Sequence, residues 1–172
     1  MKKEHPFEGA FYFEQTGNLS FLVVLTGEEV IDVSEVNYTY QEFLEDVGKR
    51  KFLLFLKGKV ELFNELVPNQ DLVRAFYVKN LYNDDPLEIT IFLNDRALVI
   101  KPDRDQVAVK TIFGQVTKLD YVRPLYDTEE SLLEVTFTSE EKLRFSSHTD
   151  SGNEWKSEYS DYVKNLFIDL SK

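Results

Sequence analysis

Seven short runs of β-branched, aromatic and aliphatic residues, separated by turn residues, constrain the fold of this chain more than any other feature. They occupy residues 72–79, 87–93, 97–101, 106–113, 116–123, 132–138 and 142–146. Short strands at this spacing are typical of antiparallel sheets. Apolar and polar residues alternate most clearly in Leu133–Phe137, which predicts a strand with one buried face and one solvated face.

Three turns between these runs are short enough to form tight hairpins. They are Asn94–Asp95, Phe113–Gln115 and Ser139–Glu141. We therefore predict that the two strands on either side of each turn pair with each other. Aromatic residues within or beside these runs are interpreted as sheet residues, namely Phe76, Tyr77, Tyr121 and Tyr126.

The C-terminal segment predicts one amphipathic helix of about five turns. Its apolar residues repeat at intervals of three and four, and they are Trp155, Tyr159, Tyr162, Val163, Leu166, Phe167 and Leu170. Asp150 or Ser151 is predicted to cap the N-terminus of the helix. Trp155 is interpreted as a core residue, and a role as an interface anchor is the alternative.

The residues before the seven predicted strands have a different pattern. Phe11–Glu14 and Leu19–Leu25 predict a hairpin, and residues 30–33 predict a short third strand. We expect an α+β extension over residues 1–70 and a second domain over residues 71–172, which contains the seven strands and the C-terminal helix.

Two helices are predicted within the extension. Thr39 and Glu42 have the spacing of a capping box, which predicts a helix over residues 40–48. Residues 51–67 keep an apolar spacing of three or four, which favours a second helix over a buried strand, with Gly58 as its weakest point.

Seven antiparallel strands followed by one amphipathic helix is the element order of pleckstrin-homology-like domains. The segment from Leu132 to Phe137, followed by Lys142–Ser146 and the C-terminal helix, resembles the bacterial members of that superfold, which include small proteins of unknown function. The resemblance implies an α+β fold in which a strongly bent antiparallel sheet, or partly open barrel, is closed by the helix. Lipid-binding members carry clustered Lys and Arg after the first strand, whereas the corresponding segment here, Asn80–Asp85, is acidic.

Composition excludes several classes of function. The chain has 172 residues, with 20 Lys and Arg against 31 Asp and Glu, and a formal net charge of −11. This charge disfavours binding to nucleic acid and to anionic membranes. The absence of cysteine excludes disulfides, thiolate metal sites and a cysteine nucleophile. The longest apolar stretch, Phe21–Leu25, is too short to span a bilayer, and we expect a cytoplasmic protein without a signal sequence.

Candidate polar sites have simpler interpretations. His148 lies close to Asp150 in sequence and suggests a histidine–carboxylate pair, but a polar turn before the helix is favoured. Asn83–Asp85 and Asp103–Asp105 lack the ligand spacing of a calcium loop and are interpreted as solvated turns. The basic run Lys49–Lys51 is interpreted as charge at a helix C-terminus. The sequence predicts no catalytic residue, no cofactor and no metal ligand.

These observations predict a non-enzymatic module that binds a protein or peptide partner. An acidic inhibitor or immunity-type protein that neutralises a basic enzyme is the first alternative, because the net charge favours fast association with a basic surface. An enzyme that uses carboxylates alone, such as a hydrolase or isomerase, is the second alternative.

Overall fold

The computed structural model describes residues 38–47, 49, 51–127 and 129–172, with the backbone alone at residues 51 and 52. These residues belong to one compact unit of the chain. The hairpin and third strand predicted before residue 34 lie outside the described residues. The predicted domain boundary after residue 70 stays a prediction for the same reason.

Seven strands in the described part of the chain form two antiparallel sheets. The first sheet has the order β1 (Ala75–Lys79), β2 (Glu88–Phe92), β3 (Arg96–Pro102) and β4 (Val107–Phe113). The second has the order β5 (Val116–Val122), β6 (Leu132–Phe137) and β7 (Lys142–Ser146). All seven predicted strands are therefore confirmed, as is the α+β class with antiparallel sheets. The described strands do not close into one barrel.

The helices lie on either side of the strands in sequence. They are α1 (Tyr40–Val47), α2 (Val60–Leu66) and α3 (Lys156–Leu170), with 3-10 helices at Lys51–Lys59, Gln70–Leu72 and Asn153–Trp155. The predicted capping box is confirmed, because the Thr39 amide donates to Glu42 Oε2 at 2.8 Å and the Glu42 amide donates to Thr39 Oγ1 at 3.2 Å. The single helix predicted over residues 51–67 is instead a 3-10 helix followed by α2, and the change comes just after Gly58.

Two of the three predicted hairpins are confirmed, those joining β2 to β3 and β6 to β7. The third prediction is wrong, because β4 and β5 belong to different sheets. The turn between them bonds to neighbouring turns: the Gly114 amide donates to the Asp95 carbonyl at 2.8 Å, and the Thr138 amide donates to the Gln115 carbonyl at 2.9 Å. Gly114 has φ of +113°, a left-handed conformation that glycine adopts without strain.

Strand β1 of the first sheet is covered on both faces. Phe76 of β1 contacts the α1 rings of Tyr40 and Phe43, with centroid distances of 5.6 and 5.3 Å. Tyr77 points the opposite way and contacts Phe145 of β7 at 4.9 Å and Tyr162 of α3 at 4.4 Å. Helix α1 therefore packs on one face of the sheet, while the second sheet and α3 pack on the other.

Helix α3 is hydrogen-bonded to residues at both ends of β1. Near its start, the buried Tyr159 hydroxyl donates to the Val78 carbonyl at 3.1 Å and accepts from the Leu81 amide at 3.2 Å. At its end, the Arg74 guanidinium donates to the Leu170 carbonyl at 2.6 Å. The predicted amphipathic helix is thereby confirmed, and its apolar stripe faces the core.

The predicted cap of α3 is wrong. No side chain caps α3 or the 3-10 helix that precedes it. The Asp150 carboxylate instead accepts from the Ser146 amide at 2.8 Å, and the Ser151 hydroxyl donates to the Ser147 carbonyl at 2.5 Å. Both residues thus close the turn after β7, because the 3-10 helix separates them from the start of α3.

Trp155 is not the core residue that the helical stripe predicts. Its indole is half-exposed and stacks on the Tyr82 ring, with a centroid distance of 4.3 Å and an interplanar angle of 19°. It lies in the 3-10 helix, where the side-chain direction differs from that of the α-helical positions that follow.

Gly152 approaches the segment after β1 so closely that a side chain has no room. A Cβ atom at this position would lie 2.7 Å from the Tyr82 carbonyl oxygen, a backbone atom that cannot rotate away. We expect Gly152→Ala to lower the free energy of unfolding by about 1–3 kcal/mol, as overpacking does. Urea denaturation followed by circular dichroism measures this change.

Gly58→Ala is the matched control, because a Cβ atom there meets nothing within 4 Å. We expect this substitution to be neutral or to stabilise by up to about 1 kcal/mol, since alanine restricts the unfolded chain. Equal destabilisation by the two substitutions would contradict the steric explanation.

Candidate interaction surface

The connection between β5 and β6, described at residues 123–127 and 129–131, presents the most exposed large apolar side chains in the described part of the chain. Leu125 is 89% exposed and Tyr126 is 101% exposed, and Val122 at the end of β5 is 56% exposed. We call Leu125 and Tyr126 the apolar tip. Single exposed leucines are ordinary, but adjacent and fully exposed Leu and Tyr side chains are the kind of apolar surface that marks an interaction site.

Buried serines fix the end of this loop that enters β6. The Ser131 amide donates to Ser147 Oγ at 2.8 Å, and Ser147 Oγ donates to the Glu129 carbonyl at 2.7 Å. The Ser131 and Ser160 hydroxyl oxygens lie 2.7 Å apart. The loop is thus tied to the turn after β7 and to α3.

Aromatic stacking and an ion pair hold the other end of the loop. The Tyr121 ring of β5 stacks on Phe167 of α3, with a centroid distance of 5.0 Å and an interplanar angle of 14°. Arg123 Nη1 lies 3.7 Å from Asp161 Oδ1. Pro124 follows and restricts the backbone. Both ends of the loop are therefore held against α3.

The carboxylates of the loop differ from those of the sheet beside it. On the outer face of β5 and β6, carboxylates are neutralised by lysines at 2.6 Å, in the pairs Lys118–Asp120 and Lys142–Glu134. Asp127, Glu129 and Glu130 are exposed and make no ion pair with any residue of the described structure. The Glu129 amide donates to Asp127 Oδ1 at 3.0 Å.

The edge of β5 next to this loop has no strand partner within the described residues. β5 pairs with β6 alone, and the register shifts between Val116 and Lys118. Leu119 and Tyr121 lie on the inner face, opposite the fully buried Val135 and Leu133, but are themselves only half-buried. No strand in the described ranges therefore covers this edge.

Tyr126 is a correction to the sequence interpretation, which assigns it to the sheet. The residue lies four positions beyond the end of β5, and its ring is fully exposed. Tyr121, which has the same interpretation, is indeed in β5. A sequence signal for the tip exists in the Pro-Leu-Tyr segment before the acidic residues Asp127, Glu129 and Glu130, because a proline ends the strand there.

The structure does not assemble a histidine–carboxylate pair from His148 and Asp150. His148 is exposed. The buried Asp150 carboxylate accepts hydrogen bonds from the Ser146 amide at 2.8 Å and Thr149 Oγ1 at 3.1 Å, and Lys79 Nζ lies 3.9 Å away. Burial raises the pKa of Asp150, although Lys79 and the hydrogen bonds oppose that shift. Its role is to hold the turn.

The two acidic clusters bond to their own backbone. Asn83 Oδ1 accepts from the Asp85 amide at 3.0 Å, and Asp103 Oδ1 accepts from the Arg104 amide at 2.7 Å. Among the described residues, no group of three or more His, Asp or Glu side chains is placed to hold a metal ion. These contacts agree with the interpretation as turns.

The basic run at residues 49–51 is described only in part. Further along the 3-10 helix, Lys59 Nζ donates to the carbonyls of Phe55 and Arg104, each at 3.1 Å. This ammonium group is therefore used to hold the 3-10 helix to the turn after β3.

A surface cleft of about 350 Å³ lies between the start of α1, residues 70–76 and α3. It contains two carboxylates, Asp71 and Asp169, together with Arg74. Asp169 already pairs with Lys172 at 2.7 Å.

Comparison with known proteins gives no match to a family model, to a curated protein or to a solved structure. None of the helices in the described ranges has the length and apolar character needed to cross a bilayer.

The serine contacts at the base of the loop make a testable prediction. Ser147→Ala removes the acceptor of the Ser131 amide and the donor to the Glu129 carbonyl, leaving buried backbone groups without partners. We expect a loss of about 1–3 kcal/mol in the free energy of unfolding and faster hydrogen exchange across residues 123–131. Ser139→Ala, at an exposed turn position, is the control and should change neither quantity measurably. Unchanged exchange in Ser147→Ala would show that the serines do not order the loop.

The raised pKa of Asp150 predicts a pH-dependent stability. The ordinary pKa of an aspartate is 3.8, and as pH rises above this value the unfolded chain releases the proton of Asp150 before the folded chain does. Ionisation of this group therefore favours unfolding until pH exceeds the folded pKa. We expect the free energy of unfolding of Asp150→Asn, relative to the natural chain, to increase with pH from about 4 upward. Urea denaturation between pH 3.5 and 7 measures this difference.

Glu88 is the control of opposite sign. Burial raises its pKa, but the hydrogen bond and charge of Lys101 and the charge of Lys79 outweigh burial and lower the pKa overall. Ionised Glu88 therefore stabilises the folded chain above the unfolded pKa. The relative stability of Glu88→Gln should decrease as pH rises, and parallel curves for the two variants would contradict the assignments.

Proposed function

We propose that this chain is a protein-binding module of the pleckstrin-homology-like type, which docks a partner on the apolar tip and the adjacent edge of β5. One observation carries the proposal: Leu125 and Tyr126 are fully exposed on a loop whose two ends are held against α3. The partner is a protein or peptide, and the module itself is non-enzymatic.

Preorganisation is what makes this surface suited to binding. Association loses free energy when loops must be ordered at the interface, and a loop that is already held avoids much of that loss. Tyrosine is also enriched among residues that dominate interface energies. Burying one leucine side chain contributes about 1.5–3 kcal/mol.

The β5 edge extends the surface beside the tip. Its edge amides and carbonyls, which pair with no strand in the described part of the chain, are able to pair with an extended segment of a partner, as in β-strand addition. Leu119 and Tyr121 would lie under that added strand, because both are half-buried and face inward. Backbone pairing would supply affinity, and the tip would supply specificity.

Two features support the resemblance to pleckstrin-homology-like domains and a protein ligand. Seven antiparallel strands precede one C-terminal helix that packs on both sheets. The segment between β1 and β2 carries the exposed Asp84 and Asp85 in place of a basic cluster, which favours a protein partner over a phosphoinositide.

Substitution of the tip tests this proposal. The double variant Leu125→Ser with Tyr126→Ser removes both exposed anchors from the full chain. We expect it to bind partners from an extract of the source organism at least about 30-fold more weakly, because loss of two interface anchors has an effect of this size. Quantitative mass spectrometry of proteins retained by the immobilised chain measures the loss.

Phe113→Ser is the matched control, since Phe113 is also a large apolar residue and is 66% exposed. It should retain the partners of the natural chain, and thermal unfolding should show both variants folded. The proposal would be overturned if the double variant still bound the partners of the natural chain. It would also be overturned if Phe113→Ser lost binding to them to the same extent.

A further inference from the structure

We infer that the segment bound at the apolar tip is a linear, basic and apolar segment of the partner, in which Lys or Arg lies next to a large apolar residue. This inference rests on the proposed function and names the chemistry of the partner. It is argued from the charges that surround the tip in the described residues.

The carboxylates beside the tip are uncompensated by ion pairs among the described residues. The lysines on the neighbouring sheet face pair with its carboxylates at 2.6 Å, whereas Asp127, Glu129 and Glu130 make no ion pair with any described residue. A partner that supplies cations to these carboxylates complements the surface, whereas an acidic partner would be repelled.

The loop carboxylates begin at the residue after Tyr126. Tyr126 and Asp127 are consecutive and both exposed, and Glu129 bonds to Asp127 and to Ser147. A guanidinium group of the partner is therefore able to stack on the Tyr126 ring and to approach a neighbouring carboxylate. Leu125 offers contact to an apolar residue next to that cation in the partner. Apolar and charged recognition thus occur on one loop.

A second copy of the chain is a poorer occupant of the tip than a basic segment. Each chain carries a formal net charge of −11, and a symmetric contact through the tip would bring two sets of unpaired loop carboxylates together. Self-association at this surface is therefore disfavoured. The same net charge speeds encounter with a basic segment at low ionic strength.

A random 12-residue peptide library displayed on phage, panned on the full chain, tests the inference. We expect enriched peptides to combine Lys or Arg with Leu, Phe or Tyr. Selected peptides are then synthesised, and their affinities are measured by fluorescence anisotropy at low and moderate salt. Neutralising the loop with Asp127→Asn, Glu129→Gln and Glu130→Gln should weaken binding by about 5- to 50-fold at low salt.

Two further variants make the outcomes distinguishable. Asp84→Asn, Asp103→Asn and Asp105→Asn remove the same charge from exposed turns elsewhere and should change affinity less than about twofold. Peptides that require Leu125 and Tyr126 but tolerate neutralisation of the loop would overturn the inference and leave the proposed function standing. Peptides that bind without the tip would overturn both. A library that yields no binder would overturn the inference, because a linear segment is what it requires.

Discussion

The packing of Tyr77 is the interaction on which the rest of the structure depends. This one ring of β1 contacts Phe145 of β7 at 4.9 Å, Tyr162 of α3 at 4.4 Å and Tyr159 of α3 at 6.1 Å. It therefore joins the first sheet to the second sheet and to the C-terminal helix. Aromatic rings in such arrangements contribute both buried area and specific geometry.

The loop that carries the apolar tip is a consequence of this packing. The turn after β7 supplies Ser147, and α3 supplies Ser160 and Phe167, so the loop is held only when β7 and α3 are in place. A buried core in this way positions a surface feature that contributes nothing to the core itself. Binding surfaces on loops commonly rely on such a rigid scaffold.

Much of the fold is predictable from short-range patterns, because turns, caps and strand alternation depend on neighbouring residues. The capping box of Thr39 and Glu42 and the alternation of Leu133–Phe137 are local in this sense. The run Ile89–Phe92 lacks polar alternation, which indicates a strand buried on both faces, and all four of its residues are buried. The hairpin predicted at Phe113–Gln115 is wrong because the turn bonds to Asp95 and Thr138, which are far from it in sequence. No local pattern reveals such contacts.

Local sequence patterns are enough to assign the strands and most of the helices in their order, and the composition gives the acidic net charge. The folded structure is needed to tell which of several similar aromatic residues are buried: Tyr159 is in the core, Trp155 stacks half-exposed on Tyr82, and Tyr126 is fully in solvent. The same is true of which carboxylates pair with a lysine. The physical reason is that burial and pairing depend on contacts between segments far apart in the chain, whereas helix and strand preferences depend on near neighbours.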